Sequence, residues 1–376
     1  MIHKPLNSIL VKPAGPDCNL ACTYCFYTCK SGLFPETKTH RMSEETLTEM
    51  IHQLMQQSGE YVGIGWQGGE PTLMGLPFFE RAMDLIIRFG RNQAVGNGLQ
   101  TNGLLIDKSW TLFLKQYNFL VGLSLDGPRH IHDRHRRART GEGSWDMVVD
   151  RAKLLTDAGV AVNALSVVTD YAVDFPEETY TFFRDLGLNY IQFIPCVEFD
   201  PTKPNVVRPY SVLPEKFGVF LCTLFDLWLN DFTDGRPTTS IRYFDSLFYR
   251  YVDQVPPECT LLKECGNYLV VEHTGDLYAC DFFVEPGWHL GNIHQDRLEE
   301  MLNSEKLNAF GALKKTLPPK CTECRWLTYC TGGCTRHRSI PARPGYLCGA
   351  YRRFFEHADA CMKHLAKVWK KTNASE

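Results

Sequence analysis

The sequence predicts an α/β protein with a cysteine-rich C-terminal region, and three observations lead to this prediction. Apolar, β-branched runs alternate with amphipathic segments at roughly 30-residue intervals, the spacing of parallel βα units. Glycine-rich and polar motifs follow most of the predicted strands, and the active sites of parallel sheets lie at these carboxyl ends of the strands. Nine of the 15 cysteines lie beyond residue 258. Six βα units are two fewer than a closed eight-unit barrel needs, so we expect an open partial barrel or a doubly wound sheet.

The individual elements follow from local patterns. The predicted strands cover residues 8–13, 62–67, 96–101, 119–125, 161–169 and 190–195. The predicted helices cover residues 43–57, 76–90, 144–159, 175–187 and 214–232. Ser43 gives the first helix a capping signal, and Gly90 suits the end of the second. A last amphipathic helix at 351–371 is expected to pack its apolar residues, including Trp369, on the body of the protein.

Domain organisation and partner classes follow from composition. We expect a core over residues 1–235 and a second domain over 236–376. The formal charge of −3 gives no general reason to expect nucleic acid, and the basic run at 129–139 lacks interleaved aromatic residues for base stacking. No apolar run reaches the length of a membrane span, and the N-terminus lacks a signal-peptide core. We therefore expect a cytoplasmic protein without membrane contact.

Three cysteines lie close together in "CNLACTYC": Cys18, Cys22 and Cys25. So many thiols in a reducing cytosol indicate metal binding rather than disulfides. A structural zinc closes its shell with four ligands, whereas a cubane held by three thiolates leaves one iron open to a substrate or cofactor. In the later motif "QGGEP", the glycine pair that ends in Gly69 lets a ligand approach the backbone or makes a tight turn. Glu70 either accepts a hydrogen bond from an ammonium group or fixes that turn.

Together, "CNLACTYC" and "GGEP" resemble the radical S-adenosylmethionine superfamily. The resemblance implies a partial (β/α)6 barrel in which Cys18, Cys22 and Cys25 hold a 4Fe–4S cluster whose open iron binds S-adenosylmethionine. With Cys265, Gly275 and Cys280 in a C-x9-G-x4-C pattern and "CTECRWLTYCTGGC" after it, the C-terminal region resembles the SPASM extension of that superfamily. This resemblance implies two auxiliary 4Fe–4S clusters. Their expected ligands are Cys259, Cys265, Cys280 and Cys334 for the first, and Cys321, Cys324, Cys330 and Cys348 for the second. A zinc ribbon is the competing interpretation of the set Cys321, Cys324, Cys330 and Cys334.

At finer scale, "CNLACTYCFY", "QGGEPTL", "LQTNG", "SLDGP" and "CDFF" resemble the anaerobic sulfatase-maturating enzymes. These enzymes oxidise the β-carbon of a cysteine or serine in a sulfatase to formylglycine. The resemblance implies that Gln67 and Tyr27 face the substrate peptide, and that Asp281 is the base that deprotonates the substrate thiol or hydroxyl. Without the resemblance, Asp281 reads as a turn-capping carboxylate. The residues expected to bind S-adenosylmethionine are Tyr24, Gly69, Ser124, Arg136 and Val197.

The implied partners are an extended sulfatase polypeptide and an external low-potential electron donor of the flavodoxin or ferredoxin type. The alternative is a related maturase that forms a crosslink, such as a thioether, on a precursor peptide. A third possibility, from another class, is an electron carrier or a zinc-binding interaction module. Outside the expected ligands, Cys222 and Cys361 are predicted to be buried small hydrophobes, whereas Cys29 and Cys196 have no assigned role.

Overall fold

The computed structural model describes residues 3–203, 205–338 and 343–373. The strands are β1 (Ser8–Lys12), β2 (Tyr61–Trp66), β3 (Ala94–Thr101), β4 (Leu120–Ser124), β5 (Ala161–Val168), β6 (Tyr190–Pro195), β7 (Phe232–Thr233), β8 (Arg236–Pro237), β9 (Ser240–Ile241), β10 (Leu269–Glu272), β11 (Asp276–Tyr278) and β12 (His289–Asn292). The α-helices are α1 (Glu44–Gln57), α2 (Leu76–Phe89), α3 (Lys108–Gln116), α4 (Arg129–His135), α5 (Trp145–Asp157), α6 (Pro176–Asp185), α7 (Pro214–Asn230), α8 (Arg242–Tyr251), α9 (Leu298–Leu302), α10 (Glu305–Lys315), α11 (Pro319–Thr322), α12 (Leu327–Cys330) and α13 (Cys348–Asn373).

The chain forms two compact units, each discontinuous in sequence. The first comprises the chain up to Leu125, His132–Asn163 and Gly266–Gly311. The second comprises Asp126–Ile131, Ala164–Cys265 and the chain from Ala312 onward. The expected boundary between two domains at residue 235 stays a prediction.

In the first unit, β1, β2, β3 and β4 pair in parallel and in chain order. This consecutive order is that of a barrel, because a doubly wound sheet reverses its order next to the first strand. On the other side of β1 the sheet continues through parallel β10 and antiparallel β11 and β12, an extension that the sequence patterns did not predict. Ser43 caps α1 as predicted, since its side chain accepts a hydrogen bond from the Thr46 amide.

The second unit holds parallel strands β6 and β9 and most of β5, which continues the βα alternation. Helix α13 packs on α7, where the rings of Phe354 and Phe225 meet edge to face at 5.7 Å. The predicted burial of the last helix is therefore confirmed from Phe354 through Met362, whereas Trp369 near its end remains 36% exposed. Cys361 lies on the exposed side of the same helix, so the prediction that it is buried is wrong. Within the described ranges, no helix is both long and apolar enough to cross a membrane.

Candidate active site

The loops that follow β1 and β2 are joined through their backbones. The Gly69 amide donates to the Gly15 carbonyl at 2.8 Å, and the Glu70 amide donates to the Asp17 carbonyl at 2.7 Å. A Cβ atom at Gly69 would overlap the Asp17 carbonyl, so only glycine fits this position. The "GG" of the motif is therefore required by the close approach of two loops, one of which leads directly into Cys18.

Glu70 is buried and fixes the turn after β2. Its carboxylate accepts hydrogen bonds from the amide and hydroxyl of Thr72, from the Thr101 hydroxyl at 2.7 Å and from the Asn102 amide at 2.8 Å. Burial raises the pKa of Glu70, and these hydrogen bonds oppose that shift. Of the two roles considered for Glu70, the structure shows the second: both oxygens tie the ends of β2 and β3 together.

Cys18, Cys22 and Cys25 form no disulfide, and all three side chains are partly buried. The Leu20 amide donates to the Cys18 sulfur at 3.4 Å, and the side-chain amide of Asn102 donates to the same sulfur at 3.7 Å. Burial raises the pKa of Cys18 to about 12, and the neighbouring thiols add to this shift. Thiols that crowd together resist ionisation until a cation compensates their charge, so this donor set suits an iron cluster.

The other residues expected to bind S-adenosylmethionine divide between the units. In the first unit, the Arg136 guanidinium lies 5.4 Å from the centre of the Tyr24 ring, and both side chains are largely buried. Ser124, also buried, ends β4. Val197 is buried in the second unit, shortly after β6.

Asp281 follows Cys280, after β11, and the side chains of Lys12 and Gln67 contact its carboxylate. Lys12 Nζ lies 2.5 Å from Oδ1, and Gln67 Nε2 donates to Oδ2 at 2.6 Å. Tyr27, expected to face the peptide, is buried and donates its hydroxyl to the Glu272 carboxylate at 2.6 Å. Asp281 thus binds side chains from other elements rather than capping its own turn. The sequence patterns did not identify Lys12 or Glu272.

The first group of auxiliary cysteines lies mainly in the second unit. Burial raises the pKa of Cys259 to about 12, and the nearby thiols of Cys334 and Cys265 add to the shift. Lys314 lies beside them and donates to the Cys259 carbonyl at 2.7 Å. Cys280, the fourth expected ligand, lies in the first unit.

The second group forms around Cys330. Burial raises the pKa of Cys330 to about 11, and Cys348, Cys321 and Cys324 add to the shift in that order. Burial raises the pKa of Cys334, and the thiol of Cys265 adds to the shift, which favours the interleaved grouping over that of a ribbon. Among the described residues, no three or more cysteine, histidine or acidic side chains converge on a single-ion site.

Two family models match the sequence. The model of the radical SAM superfamily matches residues 13–186, and the model of the SPASM iron–sulfur cluster-binding domain matches residues 259–325. The chain is 38% identical to the serine-type anaerobic sulfatase-maturating enzyme of Bacteroides thetaiotaomicron, over 97% of this chain and 92% of that enzyme. It is 37% identical to the cysteine-type enzyme of Clostridium perfringens, over 94% of this chain and 96% of that enzyme. The chain belongs to the anaerobic sulfatase-maturating enzymes.

Solved structures agree with this family membership. The structure of native anSMEcpe with bound AdoMet and the Cp18Cys peptide matches with a TM-score of 0.90 and 36% identity, over 97% of this chain and all of that one. SuiB of Streptococcus suis matches with a TM-score of 0.62 at 16% identity, a likeness of fold alone. The predicted fold class, a partial (β/α)6 barrel with a SPASM domain, is confirmed. The chain is thus a radical SAM oxidoreductase of the sulfatase-maturating family, and a crosslinking maturase is not favoured.

Among the remaining cysteines of this sulfatase-maturating enzyme, Cys29 is exposed and Cys222 is partly buried. Cys196 is buried in the second unit, and burial raises the pKa of its thiol to about 12. A buried thiol that stays protonated is an inert small hydrophobe.

Proposed function

We propose that this enzyme oxidises the β-carbon of a cysteine or serine in an extended sulfatase peptide to formylglycine. The observation that carries the proposal is the Asp281 carboxylate, held between Lys12 and Gln67 and placed directly after Cys280. A general base must be fixed within hydrogen-bond reach of the proton that it removes. Similarity to both serine-type and cysteine-type enzymes supports the substrate class and leaves both side chains as candidates.

The cysteines suit three 4Fe–4S clusters. Cys18, Cys22 and Cys25 would hold the first, and Tyr24, Gly69, Ser124, Arg136 and Val197 would hold S-adenosylmethionine. The auxiliary clusters would take Cys259, Cys265, Cys280 and Cys334, and Cys321, Cys324, Cys330 and Cys348. When bound, these groups supply the deoxyadenosyl radical that removes a hydrogen atom and the acceptor that takes one electron. An external low-potential donor of the flavodoxin or ferredoxin type would reduce the enzyme. Its 15 cysteines form no disulfide in the described structure, which suits a reducing cytoplasm.

The chain's own residues bind, orient and deprotonate the substrate. The β-carbon loses one hydrogen atom, the side-chain sulfur or oxygen loses its proton to Asp281, and one further electron leaves. The product from cysteine is a thioaldehyde, which water converts to the aldehyde with release of hydrogen sulfide, whereas serine gives the aldehyde directly. Gln67 binds Oδ2 of Asp281 and so orients the base next to the peptide. The guanidinium of Arg136 suits the carboxylate of S-adenosylmethionine, because its paired donors match two oxygens.

The test is an anaerobic assay of the protein reconstituted with iron and sulfide. Reductant, S-adenosylmethionine and a peptide with a "CxPxR" motif are added, and mass spectrometry follows the peptide. The expected product has lost one sulfur and two hydrogens, has gained one oxygen, and reacts with a hydrazide. Loss of two hydrogens without aldehyde reactivity would contradict the proposal and indicate a crosslink. An unchanged peptide beside deoxyadenosine would contradict the substrate.

A pair of cysteine variants provides a matched control for the first cluster. Cys22→Ala removes an expected ligand, so its iron content after reconstitution should fall by one cluster's share, and deoxyadenosine formation should stop. Cys29→Ala removes an exposed thiol only four residues after Cys25 and should keep both properties. Equal iron contents in the two variants would contradict the assignment of Cys22.

A further inference from the structure

Lys12, the last residue of β1, is a buried cation with an unusual set of neighbours. Its side chain is 0% exposed. Its ammonium group lies 3.5 Å from the centre of the Tyr27 ring, on the ring face, and 2.5 Å from Oδ1 of Asp281. Burying an ammonium group is costly unless it is paired, so a lysine at this position needs an explanation.

Glu272 does not provide that explanation, although it is the residue opposite Lys12 on β10. Both oxygens of Glu272 accept from the Tyr27 hydroxyl, at 2.6 and 2.8 Å. Burial and the charge of Glu272 raise the pKa of Tyr27, so that the hydroxyl keeps its proton and donates. Within the part of the chain that the structure describes, the carboxylate paired with Lys12 is that of Asp281.

Asp281 is the accessible end of this group. Its side chain is 13% exposed, whereas Lys12 and Glu272 are fully buried. Its two oxygens are fixed by different elements: Oδ1 by Lys12 on β1, and Oδ2 by Gln67 directly after β2. The backbone amide of Gln67 also donates to the Val11 carbonyl. Both residues that contact the Asp281 carboxylate are therefore held by the paired strands β1 and β2. The plane of the carboxylate is therefore fixed by the parallel sheet and not by its own turn.

We propose that Lys12 is a positioning residue for the reaction, which holds the Asp281 carboxylate in the orientation that receives the substrate proton. The inference rests on the proposed function, in which Asp281 is the base. Lys12 acts through Asp281 and is not among the residues expected to hold S-adenosylmethionine. Removal of the Lys12 ammonium group should therefore lower the yield of formylglycine more than the yield of deoxyadenosine.

The test compares Lys12→Met, which keeps the unbranched side chain but for its terminal ammonium group, with the wild-type enzyme. We expect formylglycine formed per deoxyadenosine to fall about 10- to 100-fold, since a misplaced catalytic group costs up to this much. The fall should appear in kcat, with KM for the peptide changed less than about three-fold. Lys12→Gln, which keeps a polar amide at this position without the positive charge, should recover part of the loss. Lys216→Met removes an exposed lysine that pairs with Asp174 and should behave as wild type.

A double-mutant cycle separates positioning from a general structural effect. If Lys12 acts through Asp281, Lys12→Met should change product formation less than about two-fold in an Asp281→Asn background. The same four proteins, without cofactors, provide a readout independent of activity. Each single variant should lower the urea midpoint of unfolding, and the double variant should regain most of the loss, because no buried charge is then left unpaired.

The outcomes distinguish the inference from the function on which it rests. Unchanged formylglycine per deoxyadenosine in Lys12→Met would overturn the inference while the proposed function stands. Strictly additive losses in the cycle would also overturn it. If the wild-type enzyme cleaves S-adenosylmethionine and leaves the peptide unchanged, the proposed function fails. In that case, the shifts of the urea midpoint decide. Additive shifts of the two single variants in the double variant would overturn the coupling of Lys12 to Asp281, and non-additive shifts would support it.

Discussion

Replacing Glu70 by alanine tests how the ends of β2 and β3 are held. Glu70 accepts from two backbone amides, those of Thr72 and Asn102, and from the hydroxyls of Thr72 and Thr101. The hydroxyls can rotate to new partners, but the two buried amides cannot. Each unsatisfied donor costs about 1–3 kcal/mol, so Glu70→Ala should lower the free energy of unfolding of the first unit by about 4 kcal/mol. Glu70→Gln keeps one acceptor oxygen and should lose about half of that.

Amide hydrogen exchange in β2 and β3 measures this loss locally. A change of about 4 kcal/mol corresponds to exchange roughly 10³-fold faster for amides that exchange by unfolding of the unit. Glu80→Ala, on the exposed side of α2, is the matched control and should change exchange less than about three-fold. Wild-type exchange in Glu70→Gln, together with much weaker binding of S-adenosylmethionine, would refute the argument. That result would mean that Glu70 contacts the ammonium group of the cofactor instead of fixing the turn.

Three further predictions concern other parts of the protein. Hydrogen bonds to Asp17 and to a backbone carbonyl raise the pKa of His40 although burial opposes them, so its stabilising contribution is complete below pH 6.5 and is lost as pH rises through the raised pKa. The difference in Tm between wild type and His40→Gln should therefore shrink as the pH rises above about 6.5, and a difference that grows would contradict this. Gly69→Ala should lower the free energy of unfolding, measured in urea, by about 3 kcal/mol. The control is Gly65→Ala on β2, where the added methyl group would make only ordinary contacts, and it should lower the free energy of unfolding less. Lys314→Met removes a buried cation beside three of the proposed cluster ligands. It should lower one auxiliary cluster potential by about 50 mV in an EPR-monitored titration, and an unchanged potential would contradict this.

Local patterns predicted the parallel strands because their signals lie within a few residues. Strand β1 was expected at 8–13 and is formed by Ser8–Lys12, and the other five core strands agree similarly. Helix α3 was missed, although Asp107 caps it by accepting from the Trp110 amide and gives the usual starting signal. Strands β10 to β12 were missed because short strands that pair with a distant part of the chain carry little periodicity of their own.

The site was predictable where motifs carry it and not where tertiary contacts do. The spacing of Cys18, Cys22 and Cys25 is a local signal, and so is the Gly–Gly–Glu motif. The pairing of Lys12 with Asp281 is not, because it joins residues at opposite ends of the first unit's sequence. A lysine that ends an apolar strand ordinarily extends its charge into water. Only the packing of β1 against β10 and of the Tyr27 ring over Lys12 shows that this charge is buried.

The most direct test of the account is the anaerobic peptide assay run side by side with wild type and Asp281→Asn. Deoxyadenosine and the aldehyde-containing peptide are quantified in the same samples. The account predicts aldehyde in the wild type, and deoxyadenosine with aldehyde reduced at least about 100-fold in the variant, the size of a general-base contribution. Full aldehyde yield from Asp281→Asn would contradict the role of Asp281 as the base.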